Sequence, residues 1–230
     1  MELESLLNLI KDSVFPKFCV LCDKEEFWVC PECRAKLNSE EVVACPDCKQ
    51  RHDKGEACSD CDKTLDRHLA VFDFKDQQVK TIIHKFKYEY VTEILSSVTP
   101  TIVDFLQQYK SAFPSEGRII PVPLHKRRRA ERGFDQAHLI AKVLKRELEL
   151  PIEQALKRTK NTKQQAELKR EDRLTNVKGA FEVKSKVETS KAVLVDDVFT
   201  TGATLKVCAE VLKDNTNVSD ITGFTLARGF

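Results

Sequence analysis

The stretch Val193 to Thr204, VLVDDVFTTGAT, constrains this chain more than any other. An apolar run ends in two adjacent aspartates, followed by hydroxyl side chains and a single glycine. Such a run, bounded by a turn signal, is what a strand buried on both faces of a parallel sheet requires. Ala203, Leu205, Val207, Cys208, Val211 and Leu212 then recur at helical spacing, so the segment reads as strand, loop and helix. The loop lies at the carboxyl end of its strand. There the free N–H groups of the first helical turn, the helix dipole and the hydroxyls of Thr200, Thr201 and Thr204 suit a phosphate monoester, with Gly202 and Ala203 completing the turn. Asp196 and Asp197 cannot ligate phosphate. Two carboxylates in this place suit the cis-diol of a ribose, or a Mg²⁺ shared with a diphosphate.

Eight of the nine cysteines form four C-x-x-C pairs inside 43 residues: Cys19/Cys22, Cys30/Cys33, Cys45/Cys48 and Cys58/Cys61. In a reducing compartment this pattern indicates metal rather than disulfides, and eight thiolates suit two four-cysteine zinc sites. The short linkers favour sequential sites, the first two pairs forming one and the last two the other. Interleaved pairing and an iron–sulfur cluster fit the same spacing. A closed four-thiolate site has no open coordination position, so Zn²⁺ here is structural. Cys208 falls on the apolar face of the helix after the loop and is left out.

The 230 residues suffice for one domain of ordinary size and a small appendage. Charge divides the chain in the same way. Residues 1–63 carry 9 Lys/Arg against 14 Asp/Glu, a net −5, and residues 64–230 carry 29 against 22, a net +7. We therefore expect a zinc-binding module over 1–63 and an α/β domain over 64–230. MELESLLNLI lacks the charge order and cleavage site of a secretory signal, and no run is long enough for a membrane span. The expected location is cytoplasmic, without membrane insertion.

Within the larger unit, Leu69–Phe74 and Arg118–Val122 read as strands, and 177–183 and 219–227 as further strands completing the sheet around the central one. Lys126, Arg127, Arg128, Arg129 and Arg132 place five cations in seven positions just beyond a strand end. Such a cluster can neutralise a diphosphate or follow a nucleic-acid backbone, or simply remain solvated. From Leu156 to Gly179 the chain is polar and rich in Lys and Arg, as a segment that closes over a polyanion would be. Gln164, Gln165, Arg170 and Arg173 are its candidate contacts.

The Asp-Asp and T-T-G-x-T sequence resembles the 5-phosphoribosyl 1-diphosphate (PRPP) motif of type I phosphoribosyltransferases. The paired cysteines, HKFKYEY, PVPLHKRRRAERGFDQA, the run from Arg158 to Arg173 and NVKGAF together make nearly the whole chain similar to the ComF family of bacterial competence-associated proteins. Family members typically carry Asn where Asp135 stands. The resemblance implies a type I phosphoribosyltransferase fold, a mainly parallel sheet flanked by helices, with an N-terminal double zinc ribbon. It further implies binding of PRPP with Mg²⁺, a need for the protein in uptake of single-stranded DNA during natural transformation, and work at the inner face of the membrane with a ComFA-like helicase/ATPase. Three readings follow: an active phosphoribosyltransferase, a PRPP-binding module, and a non-catalytic adaptor for a DNA-translocating motor.

Overall fold

The structure is a computed structural model and describes residues 16–37, 43–88, 92–160, 162 and 176–229. Its strands, numbered in chain order, are β1 (Arg67–Asp73), β2 (Arg118–Pro121), β3 (Leu156–Arg158), β4 (Phe181–Val183), β5 (Lys191–Phe199) and β6 (Asp220–Arg228). The helices are α1 (Pro31–Arg34), α2 (Gln77–Tyr88), α3 (Ile94–Gln108), α4 (Lys126–Arg132), α5 (Gln136–Leu148) and α6 (Ala203–Asn215). Four strands form a parallel sheet in the order β1-β6-β5-β2.

Alternation along β5 explains why its sequence is apolar without interruption. Val193 and Val195 face one core, while Ala192 and Leu194 face the other. The first core is closed by the apolar stripes of α2, α3 and α5, including Ile83, Phe86, Ile102 and Ile140. The second is closed by Leu205, Cys208, Ala209 and Leu212 of α6 together with Leu156 and Phe181. Each fully buried aliphatic side chain contributes about 1.5–3 kcal/mol, so both faces are needed to hold the sheet.

Two expectations are corrected. Residues 177–183 do not enter the main sheet: Phe181–Val183 pairs antiparallel with Leu156–Arg158 as a separate ladder. Gly179 turns the chain at φ 64°, and the short strand after it alternates from buried to exposed, so it lacks the second buried face that a central strand needs. The aspartates also lie within β5 rather than after it. The neighbouring β6 continues alongside, pairing Asp196 with Thr225, Val198 with Ala227 and Phe199 with Arg228. On the other side β2 stops earlier, its last pair being Pro121 with Val195, which leaves a crevice beside Asp196 and Asp197.

The cysteine-rich segment is continuous with this core: Cys19, Val29, Cys30, Leu37 and Val43 join the first cluster. Its second hairpin also adds to the sheet margin. The His68 N–H donates to the Gly55 carbonyl (2.9 Å) and the Ala57 N–H to the Asp66 carbonyl (2.9 Å). Among the described residues, no helix is long and apolar enough to cross a membrane.

Candidate functional site

A cavity of about 360 Å³ opens where β5 outruns β2. Its walls include Asp196, Asp197, Thr200 and Thr204 from the strand–loop–helix, Arg128 and Arg132 from α4, Asp135 and Gln136 at the start of α5, Arg158, and Phe74, Lys87 and Tyr88. Thr201, Gly202 and Ala203 stand behind this wall and shape it. The Thr201 hydroxyl accepts from the Ala203 N–H (3.4 Å), and Gly202 caps α6 at φ 76°. A side chain at 202 would also collide with Phe199, whose Cζ lies 2.4 Å from the position of a Cβ. Both the backbone angle and the space admit only glycine there.

The two aspartates differ in surroundings. Asp197 pairs with Lys87 (Nζ to Oδ1, 2.9 Å) in a mostly buried contact. Asp196 accepts the Asp197 N–H (2.9 Å). Burial, and then the neighbouring Asp197 charge, raise its carboxyl from 3.8 to about 7. A carboxyl raised in the folded state gives stability that is fully present below its unfolded value, about pH 4, and is lost as the pH rises to about 7. The melting temperature of the ligand-free protein is therefore expected to fall between pH 5 and pH 8, and Asp196→Asn to remove most of that slope. An unchanged slope in the variant would assign the effect to other groups.

Helix formation sorts the basic cluster. On α4, Arg128 and Arg132 are one turn apart and face the cavity, whereas Lys126, Arg127 and Arg129 are exposed, with Arg127 paired to Glu131 (3.1 Å). Arg132 also lies over the Tyr88 ring, 5.3 Å from its centroid. Arg128 donates to the carbonyl of Thr162 and Arg158 to its hydroxyl. Burial and then the Arg128 charge lower the pKa of Arg158. Two guanidinium groups held this close suit an anion bridging them, such as a diphosphate. Arg158 Nε and Gln136 Nε2 are buried without hydrogen-bond partners and offer further donors there. Gln165, Arg170 and Arg173 lie outside the described residues.

Lys87, Tyr88, Asp135, Gln136 and Arg158 complete the site without having been singled out by sequence as candidate contacts. One signal for them existed: an Asp preceding a helical pattern is a cap candidate. Asp135 caps α5 by accepting the His138 N–H (3.2 Å), and burial raises its carboxyl.

The eight paired cysteines assemble sequentially. Cys19, Cys22, Cys30 and Cys33 form one group and Cys45, Cys48, Cys58 and Cys61 the other, with the sulfurs of each group within 4.8 Å of one another. Tetrahedral zinc with bonds near 2.3 Å spaces its sulfurs by about 3.8 Å, and the Cys22–Cys30 and Cys48–Cys58 sulfur pairs stand at 3.6 and 3.5 Å. Burial opposes ionisation of Cys19, but N–H groups led by that of Cys30 (3.3 Å) outweigh it and bring the thiol to about 7. Cys45 reaches about 6 by the same balance. These donor sets fit two structural zinc ions. Cys208 is buried in α6, apart from both groups.

A model of the phosphoribosyl transferase domain matches residues 133–228, and one of the double zinc ribbon domain matches residues 10–62. The chain is 30% identical to competence protein ComFC of Bacillus subtilis over 236 residues, covering 91% of this chain and 94% of the relative. It is 40% identical to competence protein F of Haemophilus influenzae over 114 residues, 48% of this chain and 49% of that one. A third relative, DNA utilization protein YhgH of Escherichia coli, is 34% identical over 137 residues, 58% and 60% of the two chains.

Proposed function

Because this chain belongs to the ComF family, we propose that it serves the uptake of single-stranded DNA and that its cavity binds PRPP together with Mg²⁺. One observation carries this reading: a single cavity at the end of a parallel strand gathers a helix N-terminus with two threonine hydroxyls, the two carboxylates of β5 and four cations. The 5′-phosphate would lie against Thr200 to Thr204, the ribose hydroxyls would donate to Asp196 or Asp197, and Arg128 and Arg158 would take the diphosphate. Mg²⁺ would add charge neutralisation between a carboxylate and the diphosphate oxygens. Lys87, now paired with Asp197, holds part of that role without ligand.

Calorimetric titration with PRPP, with and without Mg²⁺, tests the binding reading; no heat in either condition would defeat it. Release of diphosphate on adding a nucleophilic base would identify an active phosphoribosyltransferase. The exposed Lys126, Arg127 and Arg129 beside the cavity support weak, sequence-blind contact with single-stranded DNA, and a ComFA-like motor at the inner membrane face would be the partner that moves it. Anisotropy of a labelled single strand is expected to fall steeply with salt, and alanine at these three positions to flatten the slope. Salt-independent binding would remove DNA from the proposal.

A further inference from the structure

The outward face of α2 is more than a solvated helical stripe. Its inner face buries Val79, Ile82 and Phe86, while the residues turned the other way border a second cavity of about 380 Å³. Phe74, Ile83, His84 and Tyr88 give that cavity an apolar floor, and Lys80, Lys85 and Lys87 lie around it. Local geometry builds it. The Phe74 N–H donates to the Arg228 carbonyl (2.8 Å), continuing the pairing of β1, and Asp76 caps α2 by accepting the Gln78 N–H (2.7 Å), which together hold Phe74 against the helix. His84 and Tyr88, one turn apart, set their rings side by side, with centroids 5.0 Å and planes 43° apart. Phe74, Lys87 and Tyr88 also wall the first cavity, so the two spaces share one partition.

We propose that this second cavity holds a base of single-stranded DNA against His84 and Tyr88, with Lys80 and Lys85 along the phosphates of the strand. Rings beside lysines, with no carboxylate among the described lining residues, are what a single-strand groove requires: aromatic faces stack any base, and cations follow the backbone. A polyanion alone would leave the apolar floor unused, and an apolar ligand would leave the lysines unused. The net +7 of residues 64–230 matches a polyanionic strand in sign. Lys87 is already paired with Asp197 and serves the partition instead. The inference rests on reading the protein as a binder of single-stranded DNA, and adds to it a place for the bases, on α2, one partition away from the cavity that α4 lines.

Anisotropy on the full zinc-loaded chain compares a labelled oligothymidylate with an abasic strand of the same length, which keeps the phosphates and lacks the bases. Wild type is expected to bind the base-bearing strand about tenfold more tightly, as stacking of a single base allows, and to quench 2-aminopurine placed in it. His84→Ala is expected to lose most of that preference, and His84→Phe, which restores a ring, to keep it. PRPP affinity and zinc content should be unchanged in both, because His84 is exposed and lies outside the first cavity. Lys80→Ala is expected to weaken both strands alike and to lower the salt slope by about one. Equal affinity of wild type for the two strands, or a preference untouched by His84→Ala, overturns the inference while leaving electrostatic DNA binding in place. Failure of either strand to bind at low salt would instead overturn the DNA reading itself, and the inference with it. Heat from a free base such as adenine that disappears in His84→Ala, without any preference between the strands, would assign the cavity to a phosphoribosyl acceptor and likewise overturn it.

Discussion

Replacing both Asp196 and Asp197 with alanine is expected to weaken PRPP binding in Mg²⁺ at least 100-fold, about 2.7 kcal/mol, with the circular dichroism unchanged. Hydrogen bonds to charged groups contribute about 1.5–3 kcal/mol each, and the double variant removes every carboxylate acceptor offered by β5. The fold should tolerate the change, because Asp196 is held against an ionisation cost and its removal relieves that cost at neutral pH. Lys87 loses its partner in the variant and becomes an additional free cation in the cavity. Inorganic phosphate should therefore bind at least as well as before, while the ribose-bearing ligand suffers. Equal affinity of wild type and double variant for PRPP, measured by calorimetry, would place the ligand elsewhere.

Stripping metal from the reduced protein should have a still larger effect. Elemental analysis is expected to give two zinc ions per chain, and Cys208→Ser to leave that number unchanged. Structural zinc sites contribute on the order of 10–16 kcal/mol of binding free energy, which is folding free energy where no core exists without the metal. Here Val29, Leu37 and Val43 close the same core as β1 and α3, so unfolding of the ribbons uncovers one face of the sheet. Chelation should consequently lower the melting temperature of the whole protein rather than detach a separate module. A single equivalent of zinc would defeat the two-site assignment, and iron with visible absorption would indicate a cluster.

Strand–loop–helix geometry around Asp196 is legible in sequence because β5 is buried on both faces and a glycine opens the helix that follows it. The cysteine groups are legible for a similar reason: their pairing is local, and the structure adopts the sequential arrangement that short linkers favour. The segment at 177–183 is not, since a three-residue strand takes its partner from tertiary packing rather than from its own pattern. Reading Lys126 to Arg132 as an undivided cluster conceals what helical periodicity does to it, turning Arg128 and Arg132 inward and their neighbours out. Lys87 and Asp197 are a different case. They are remote in sequence, and only the placement of α2 beside the end of β5 makes them partners.

The strand order also has a consequence for how the protein is made. β6 lies between β1 and β5 but follows both in the chain, so β1, complete at Asp73, waits for its neighbour until Asp220 and the residues after it have left the ribosome. At about 5–20 residues per second, that wait is on the order of ten seconds, during which the apolar faces of β1 and α2 lack their cover. All eight ligands of the two metal groups are synthesised by Cys61, before β1 begins. The ribbons can thus take up zinc first, and during translation they would serve as the folded surface onto which the later strands condense. A chain made under zinc limitation would then be expected to aggregate as it is synthesised, even where the finished protein tolerates brief loss of metal.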